Sequence, residues 1–225
     1  AGGVGLPKIL SGNDDVRSLK ELLLYGMRGM AAYADHAGIL GAEREEVDGF
    51  LARGLAALAA DRPDTDWLNL VMELGRVNLS CMEMLSAAHI GRFGAPRPTR
   101  VKMGVLKGPA IIVSGHDLLD LQMLLEQTAG TGVSVYTHGE MLPAHGYPEL
   151  KKHPHLAGHF GTAWQNQQKE FDGVPAAILM TTNCIQKPTR HYADHIFTTG
   201  MVGWPEIPHI GERPTGSRKD FSAVI

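Results

Sequence analysis

The spacing of apolar residues changes once along the chain, near residue 100. From Ser18 to about Arg100 they recur at helical intervals. Leu19, Leu22, Leu23, Gly26, Met30 and Tyr33 form one stripe, Val47, Phe50, Leu51, Leu55 and Leu58 a second, and Leu74, Val77, Cys81, Leu85 and Ala88 a third. Ser18 with Glu21 reads as a capping box opening the first helix, and "DRPDTD" as the turn before the third. Three amphipathic helices joined by short turns predict a bundle. Gly26 and Gly29 weaken the first helix unless another backbone packs closely there, which predicts a helix crossing. Met27, Met30, Met72, Met82 and Met84 are then core filling.

After "GAPRPTRVKMG" short apolar runs alternate with helical or loop segments. "PAIIVSG" predicts a buried strand, "HDLLDLQMLLEQT" a helix and "GTGVSVYT" the next strand. A segment rich in Pro and Gly, Pro143 to Gly161, reads as a loop excursion. A helix near Trp164 to Phe171, the strand "AAILMTT" and a further apolar run, "HIFTTGMVG", follow. That order predicts an α + α/β chain: a helical bundle domain over residues 1–100, then a Rossmann-like, mainly parallel α/β domain over residues 101–225. The segment "GERPTGSRKD" reads as a solvated connection, and no internal repeat is visible.

Composition narrows the classes of function. With 225 residues, 44% of them hydrophobic and 20% charged, the chain can bury a substantial core. Lys and Arg total 21 against 24 for Asp and Glu, so there is no basic field of the kind that nucleic acid or an anionic membrane surface requires. No apolar run approaches the roughly 20 residues of a membrane span. The opening "AGGVGLPKIL" lacks the pattern of a secretory signal, which makes the cytoplasm the default. A start at Ala1 rather than Met reads as an incomplete chain. Cys81 and Cys184 are the only cysteines; neither lies in a CxxC pair, and they make no disulfide framework.

Chemistry enters through position. His116 follows "IIVSG", Glu140 follows "VSVYTHG" and Cys184 follows "ILMTTN", so each leaves the carboxyl end of a predicted strand. In an open parallel sheet that edge is where ligands sit. Imidazole, carboxylate and thiolate converging there would suit iron, with thiolate favouring iron-sulfur chemistry and the other two favouring iron that also carries oxygen ligands. Blander readings stand beside this one. A His after a strand is commonly a turn or capping residue, and a lone cysteine is commonly inert core, which suits Cys81 on its helical stripe. The histidines at 138, 145, 153, 155 and 159 suggest either a second metal site or a shaped loop; their spacing fits no single-helix or zinc-knuckle pattern.

Longer stretches carry a family likeness. "GPAIIVSGHDLLDLQMLLEQTAGTGVSVYTHGEMLPAHGYPELKK", with "FGTAWQNQQKEF" and "ILMTTNCIQKP", closely resembles the hybrid cluster proteins, also called prismane proteins or hydroxylamine reductases. "SLKELLLYGMRGMAAYADHAGILG" resembles the helical stretch that precedes these segments in that family. The resemblance implies that His116, Glu140 and Cys184 ligate an iron-sulfur-oxygen hybrid cluster, with Asn183 beside the thiol as a hydrogen-bond donor or a plain turn residue. It implies a small-molecule substrate, hydroxylamine or nitric oxide, and an electron-donor reductase as partner. The family also carries a four-cysteine segment holding a second iron-sulfur cluster, and a further α/β domain supplying three cysteines and a glutamate to the hybrid cluster. Those ligands have no counterpart here, so this chain alone reads as an incomplete portion. "AAHIGRFGAPRPT" departs from the Asn-Thr expected before the Pro-Thr turn. Two alternatives are a carbon monoxide dehydrogenase-like metallocluster enzyme, which nickel content would distinguish, and a non-catalytic truncated scaffold.

Overall fold

The structure is a computed structural model, and it describes residues 10–60, 65–211 and 218–225. Contacts divide the chain into two compact units, Ala1–Arg92 and Phe93–Ile225.

Among the described residues the first unit holds three helices, α1 (Asp14–Ile39), α2 (Glu45–Ala60) and α3 (Trp67–Phe93, whose last residue belongs to the second unit). Leu23, Met27, Val47, Phe50, Val77 and Cys81 lie in its core. A Cβ at Gly26 would run into Leu74, so this glycine does mark where α1 and α3 cross; Gly29 faces open space and marks no crossing. The expected start of α1 shifts upstream. Asn13 is the cap, its side chain accepting from the Val16 amide at 2.9 Å, while Ser18 lies inside the helix and donates to the Asp14 carbonyl at 2.8 Å. The predicted stripes are also wider than the buried seam. Leu22 and Leu55 stay 55% and 54% exposed, and Met72 and Met82 are exposed rather than core-filling, because three helices cover one narrow face of each. Part of the predicted turn "DRPDTD" lies outside the described residues.

The second unit is built on a six-stranded, all-parallel sheet: β1 (Ala110–Ser114), β2 (Ser134–His138), β3 (Leu156–Phe160), β4 (Ala177–Met180), β5 (Ile196–Thr199) and β6 (His209–Ile210). Their order across the sheet is β3-β2-β1-β4-β5-β6. The central strands are continuous apolar runs because both of their faces are buried. Between β1 and β2 runs α4 (Leu118–Gln127), capped by Asp117, whose carboxylate accepts from the amides of Leu119 and Asp120, each at 2.9 Å.

Two strands escape the sequence pattern. β3 lies inside the supposed loop excursion, where "LAGHF" offers little β-forming signal. Its outer edge is covered by the chain at Lys102, whose carbonyl accepts from the His159 amide at 2.8 Å, and Gly158 leaves no room for a Cβ against that carbonyl. β6 is only two residues long. At the carboxyl-terminal end, the supposedly solvated segment contains a buried cation: Lys219 pairs with Asp120 at 2.8 Å, with both side chains almost fully enclosed. Residues 212–217 of that segment lie outside the described residues. No helix among the described residues is long and apolar enough to cross a membrane.

The clustered histidines cross-link the β2–β3 end of the sheet. Thr137 Oγ lies 2.9 Å from His145 Nε2 and 2.8 Å from His159 Nδ1. His145 also donates to the Gly158 carbonyl, so its Nε2 accepts the single Thr137 hydroxyl proton, and His159 donates to the same oxygen. Burial lowers the His145 imidazole and drives that of His159 down to about 4, with His138 and His145 adding to the effect. In the unfolded chain each titrates near 6.5. The folded state therefore binds fewer protons in the window between, and its stability, fully present above about pH 6.5, is lost as pH falls toward 4. We expect about 2 kcal/mol of loss from His159 alone at pH 5. In His159→Asn the amide keeps a donor for Thr137 without titrating, so thermal unfolding should show a flatter pH profile; an unchanged profile would contradict this assignment.

Candidate metal centre

The strand order reverses at β1. From it the chain steps outward through β2 and β3, then returns to place β4 on β1's other flank, so the connections after β1 and β4 leave in opposite directions and open a crevice at the carboxyl edge. Gly115, immediately after β1, has φ +103°, a conformation that side chains rarely adopt. A Cβ there would stand 2.6 Å from Thr182 Oγ and 2.8 Å from the Thr182 amide. The glycine thus lets the end of β1 press against the turn after β4. Thr181 secures the contact by donating both its amide and its hydroxyl to the Ser114 carbonyl, each at 3.0 Å.

That contact brings His116 and Cys184 to opposite lips of the crevice. Glu140 arrives from β2, where Gly139 turns with φ +56° into the 3-10 segment Gly139–Gly146. The Cys184 turn is held from below by Gln167, which is fully buried. Its side-chain nitrogen donates to the Cys184 carbonyl at 2.6 Å, and its oxygen accepts from the Gln186 amide at 2.9 Å.

The three side chains meet. Cys184 Sγ is 3.3 Å from Glu140 Oε2 and 3.7 Å from His116 Nδ1, and His116 Nδ1 is 3.4 Å from the same carboxylate oxygen. Ligand bonds of about 2.0 to 2.3 Å in a tetrahedral arrangement put neighbouring donor atoms roughly 3 to 4 Å apart, so these separations fit one shared cation. Cys184 is buried, His116 partly exposed and Glu140 mostly exposed, which closes the site beneath the thiol and opens it beside the carboxylate. Thr182 Oγ lies 3.0 Å from His116 Nδ1 and orients the ring. Without a cation the thiol is held protonated. Burial, followed by the facing Glu140 carboxylate, pushes its pKa up to about 12. A positive ion at the meeting point would reverse that balance, since thiolate and carboxylate would both face it.

The Prismane/CO dehydrogenase family model matches residues 5–225 of this sequence. The chain belongs to that family. Among curated relatives of this prismane-family chain, a protein of Thermodesulfovibrio yellowstonii is 58% identical over 215 residues, covering 96% of this chain and 39% of its own length. One of Solidesulfovibrio magneticus is 60% identical over 207 residues, covering 92% and 38%, and one of Methanocella arvoryzae is 52% identical over 209 residues, covering 92% and 38%. All three are named hydroxylamine reductase. This prismane-family chain therefore spans about two-fifths of the length of the curated relatives it matches. Iron-sulfur clusters are the cofactors that membership implies.

Asn183 is exposed and makes no hydrogen bond to the thiol among the described residues. The five clustered histidines form no second group of metal-ligating side chains among the described residues. Cys81 is fully enclosed in the first unit, with its sulfur donating to the Met30 carbonyl at 3.5 Å and burial raising its pKa. Sequence reasoning missed Thr182 and Gln167. The first stood in the quoted "TTNC" with nothing to mark its partner, and the second sits in a short helix whose contact with the Cys184 turn is wholly tertiary.

The raised thiol generates a test on the metal-free chain. At pH 8 Cys184 is expected to react with iodoacetamide at least about a hundredfold more slowly than in the urea-unfolded chain, because the thiolate is the nucleophile. Glu140→Gln should speed the folded reaction. Site-resolved mass spectrometry separates Cys184 from Cys81, and equal rates in folded and unfolded chain would overturn the reading.

Proposed function

We propose that this chain carries part of the active site of a hydroxylamine reductase, with His116, Glu140 and Cys184 as ligands of an iron-sulfur-oxygen hybrid cluster. The observation that carries the proposal is the convergence of these three donor atoms, all within 4.8 Å of one another, at the strand reversal. The names of the relatives support the substrate, and the family supports the metal. In this reading residues 1–100 form the helical domain and residues 101–225 the domain whose strand ends hold the ligands. Nitric oxide is the second substrate that this reading admits. The intact protein would work in the cytoplasm with a separate electron-donor reductase.

Reduction of hydroxylamine breaks its N–O bond with uptake of two electrons and two protons, giving ammonia and water. When bound, the cluster supplies the electrons and a Lewis-acidic iron. The chain's own residues set the stage for that chemistry. Cys184 contributes an anionic sulfur from the dry floor of the crevice, where it is shielded from solvent. His116 presents Nδ1 from the opposite lip, where a cation would take the place of that nitrogen's contact with Thr182 Oγ at 3.0 Å. Glu140 stands at the open side, where substrate would enter. Asn183, exposed beside the thiol, would stand near that group without holding it.

In the complete parent protein, His116→Ala, Glu140→Ala and Cys184→Ala are each expected to lower cluster iron and hydroxylamine reduction by at least about ten- to a hundredfold, and Cys81→Ala to change neither. Wild-type iron in the Cys184 variant, or its loss in the Cys81 variant, would reverse the assignment of the two thiols.

The 225-residue chain alone has one cysteine at the site and one in a helical core. Anaerobic reconstitution with iron and sulfide should give labile, substoichiometric iron and no steady turnover with an artificial donor. Stable multi-iron uptake with turnover would show that further cysteines are dispensable.

A further inference from the structure

One buried polar set lies behind the three proposed ligands without touching any of their donor atoms. His138, the last residue of β2, is fully enclosed. Its Nδ1 lies 2.9 Å from the Ser114 hydroxyl at the end of β1, and its Nε2 lies 3.0 Å from Glu170 Oε2. An imidazole with a carboxylate on Nε2 carries its proton there, so Nδ1 accepts from Ser114. The other carboxylate oxygen of Glu170 accepts from the Thr162 hydroxyl, which in turn accepts from Asn166 at 2.9 Å. Every polar atom of the imidazole is therefore engaged. The surroundings leave it little slack: the Phe171 ring packs on it at 4.6 Å between centroids, and a Cβ at Gly161 would stand 2.6 Å from Glu170 Oε2 and 2.8 Å from His138 Cδ2.

The connections of this set are the informative part. Ser114 is two residues before His116 on β1, and His138 is two residues before Glu140 on β2. Glu170 ends α5 (Gln167–Glu170), whose first residue, Gln167, clamps the Cys184 turn. One imidazole thus joins the ends of β1 and β2, which His116 and Glu140 follow, to the short helix that holds the Cys184 turn. An apolar side chain could fill the same volume without the desolvation that two buried polar groups and a largely enclosed carboxylate cost, and a fully bonded polar set returns that cost as direction and distance.

We propose that Ser114, His138 and Glu170 are positioning residues that fix the spacing of His116, Glu140 and Cys184, and through it the affinity and geometry of the metal they hold. The proposal rests on the reading of those three side chains as metal ligands. It predicts that the hydrogen bonds, rather than the volume of the imidazole or the charge of the carboxylate, carry the effect.

The test uses Co²⁺ added anaerobically to the full 225-residue chain, read by the charge-transfer absorption of a Cys184 thiolate on cobalt and by the cobalt ligand-field bands, with thermal unfolding recorded for every variant. The wild-type chain should show the thiolate band and Cys184→Ser should not. Glu170→Ala, at a position whose side chain is not fully enclosed, should weaken Co²⁺ binding about tenfold and alter the ligand-field bands. Glu170→Gln, which still offers an oxygen to His138 Nε2, should bind within about threefold of wild type. His138→Phe keeps the ring packing on Phe171 but removes both bonds, and should lose affinity as Glu170→Ala does. Wild-type affinity and band shape in both Glu170→Ala and His138→Phe would overturn the positioning role while leaving the ligand assignment intact. A Glu170→Gln variant as weak as Glu170→Ala would also overturn it, because charge and not the bond would then matter. Absence of the thiolate band in the wild-type chain would overturn the ligand reading and the proposal together.

Discussion

The site depends on a close approach of backbone to backbone. Where the order of strands reverses, the end of β1 must lie against the turn after β4, and Gly115 is the residue that permits it. Any side chain there would collide with the Thr182 amide as well as its hydroxyl, and the conformation itself disfavours one. Parallel strands with connections leaving in opposite directions create the crevice, and this contact fixes its width. His116 and Cys184 then face each other although they are distant in sequence, and Glu140 needs only the turn at Gly139 to join them.

The two cysteines show how far surroundings, rather than residue type, decide chemistry. Both are buried thiols with raised pKa values. Cys81 is enclosed by apolar side chains, with a backbone carbonyl as its hydrogen-bond acceptor, and among the described residues it belongs to no group of metal-ligating side chains. Cys184 faces a carboxylate and an imidazole. Bringing a carboxylate to a buried thiol penalises the thiolate as long as the centre between them lacks positive charge, and the same arrangement becomes favourable when a cation fills it. The site's geometry thus suits a ligand set, and its electrostatics without a cation favour the protonated thiol.

Buried polar bonds supply rigidity behind that geometry. Gln167 holds the Cys184 turn by the Cys184 carbonyl and the Gln186 amide, and the imidazole of His138 spans β1, β2 and α5. Nearby, Thr137 ties together two more neutral histidines, and Lys219 with Asp120 anchors the carboxyl-terminal segment to α4. Each of these groups lost its water on folding, so each stabilises only in the arrangement that satisfies it.

Local pattern determined a good deal. Helical spacing located the three helices, continuous apolar runs located β1, β2, β4 and β5, and residue type together with strand-end position singled out His116, Glu140 and Cys184. These features were legible because each is a property of a short window: a period, a run or a residue at the end of a run. What the windows lacked was decided by partners. β3 forms from an unpromising segment because β2 and the chain at Lys102 flank it, and Asn13 displaces Ser18 as the cap because of where the chain turns. Leu22 and Met72 stay exposed because burial depends on which neighbours arrive. The sequence by itself determined the helices and the strands with continuous apolar runs, and which side chains carry metal-binding chemistry. The tertiary structure alone decided that those side chains share one point, since a thiol and a carboxylate 44 positions apart meet only when the strand order brings their strand ends to the same crevice.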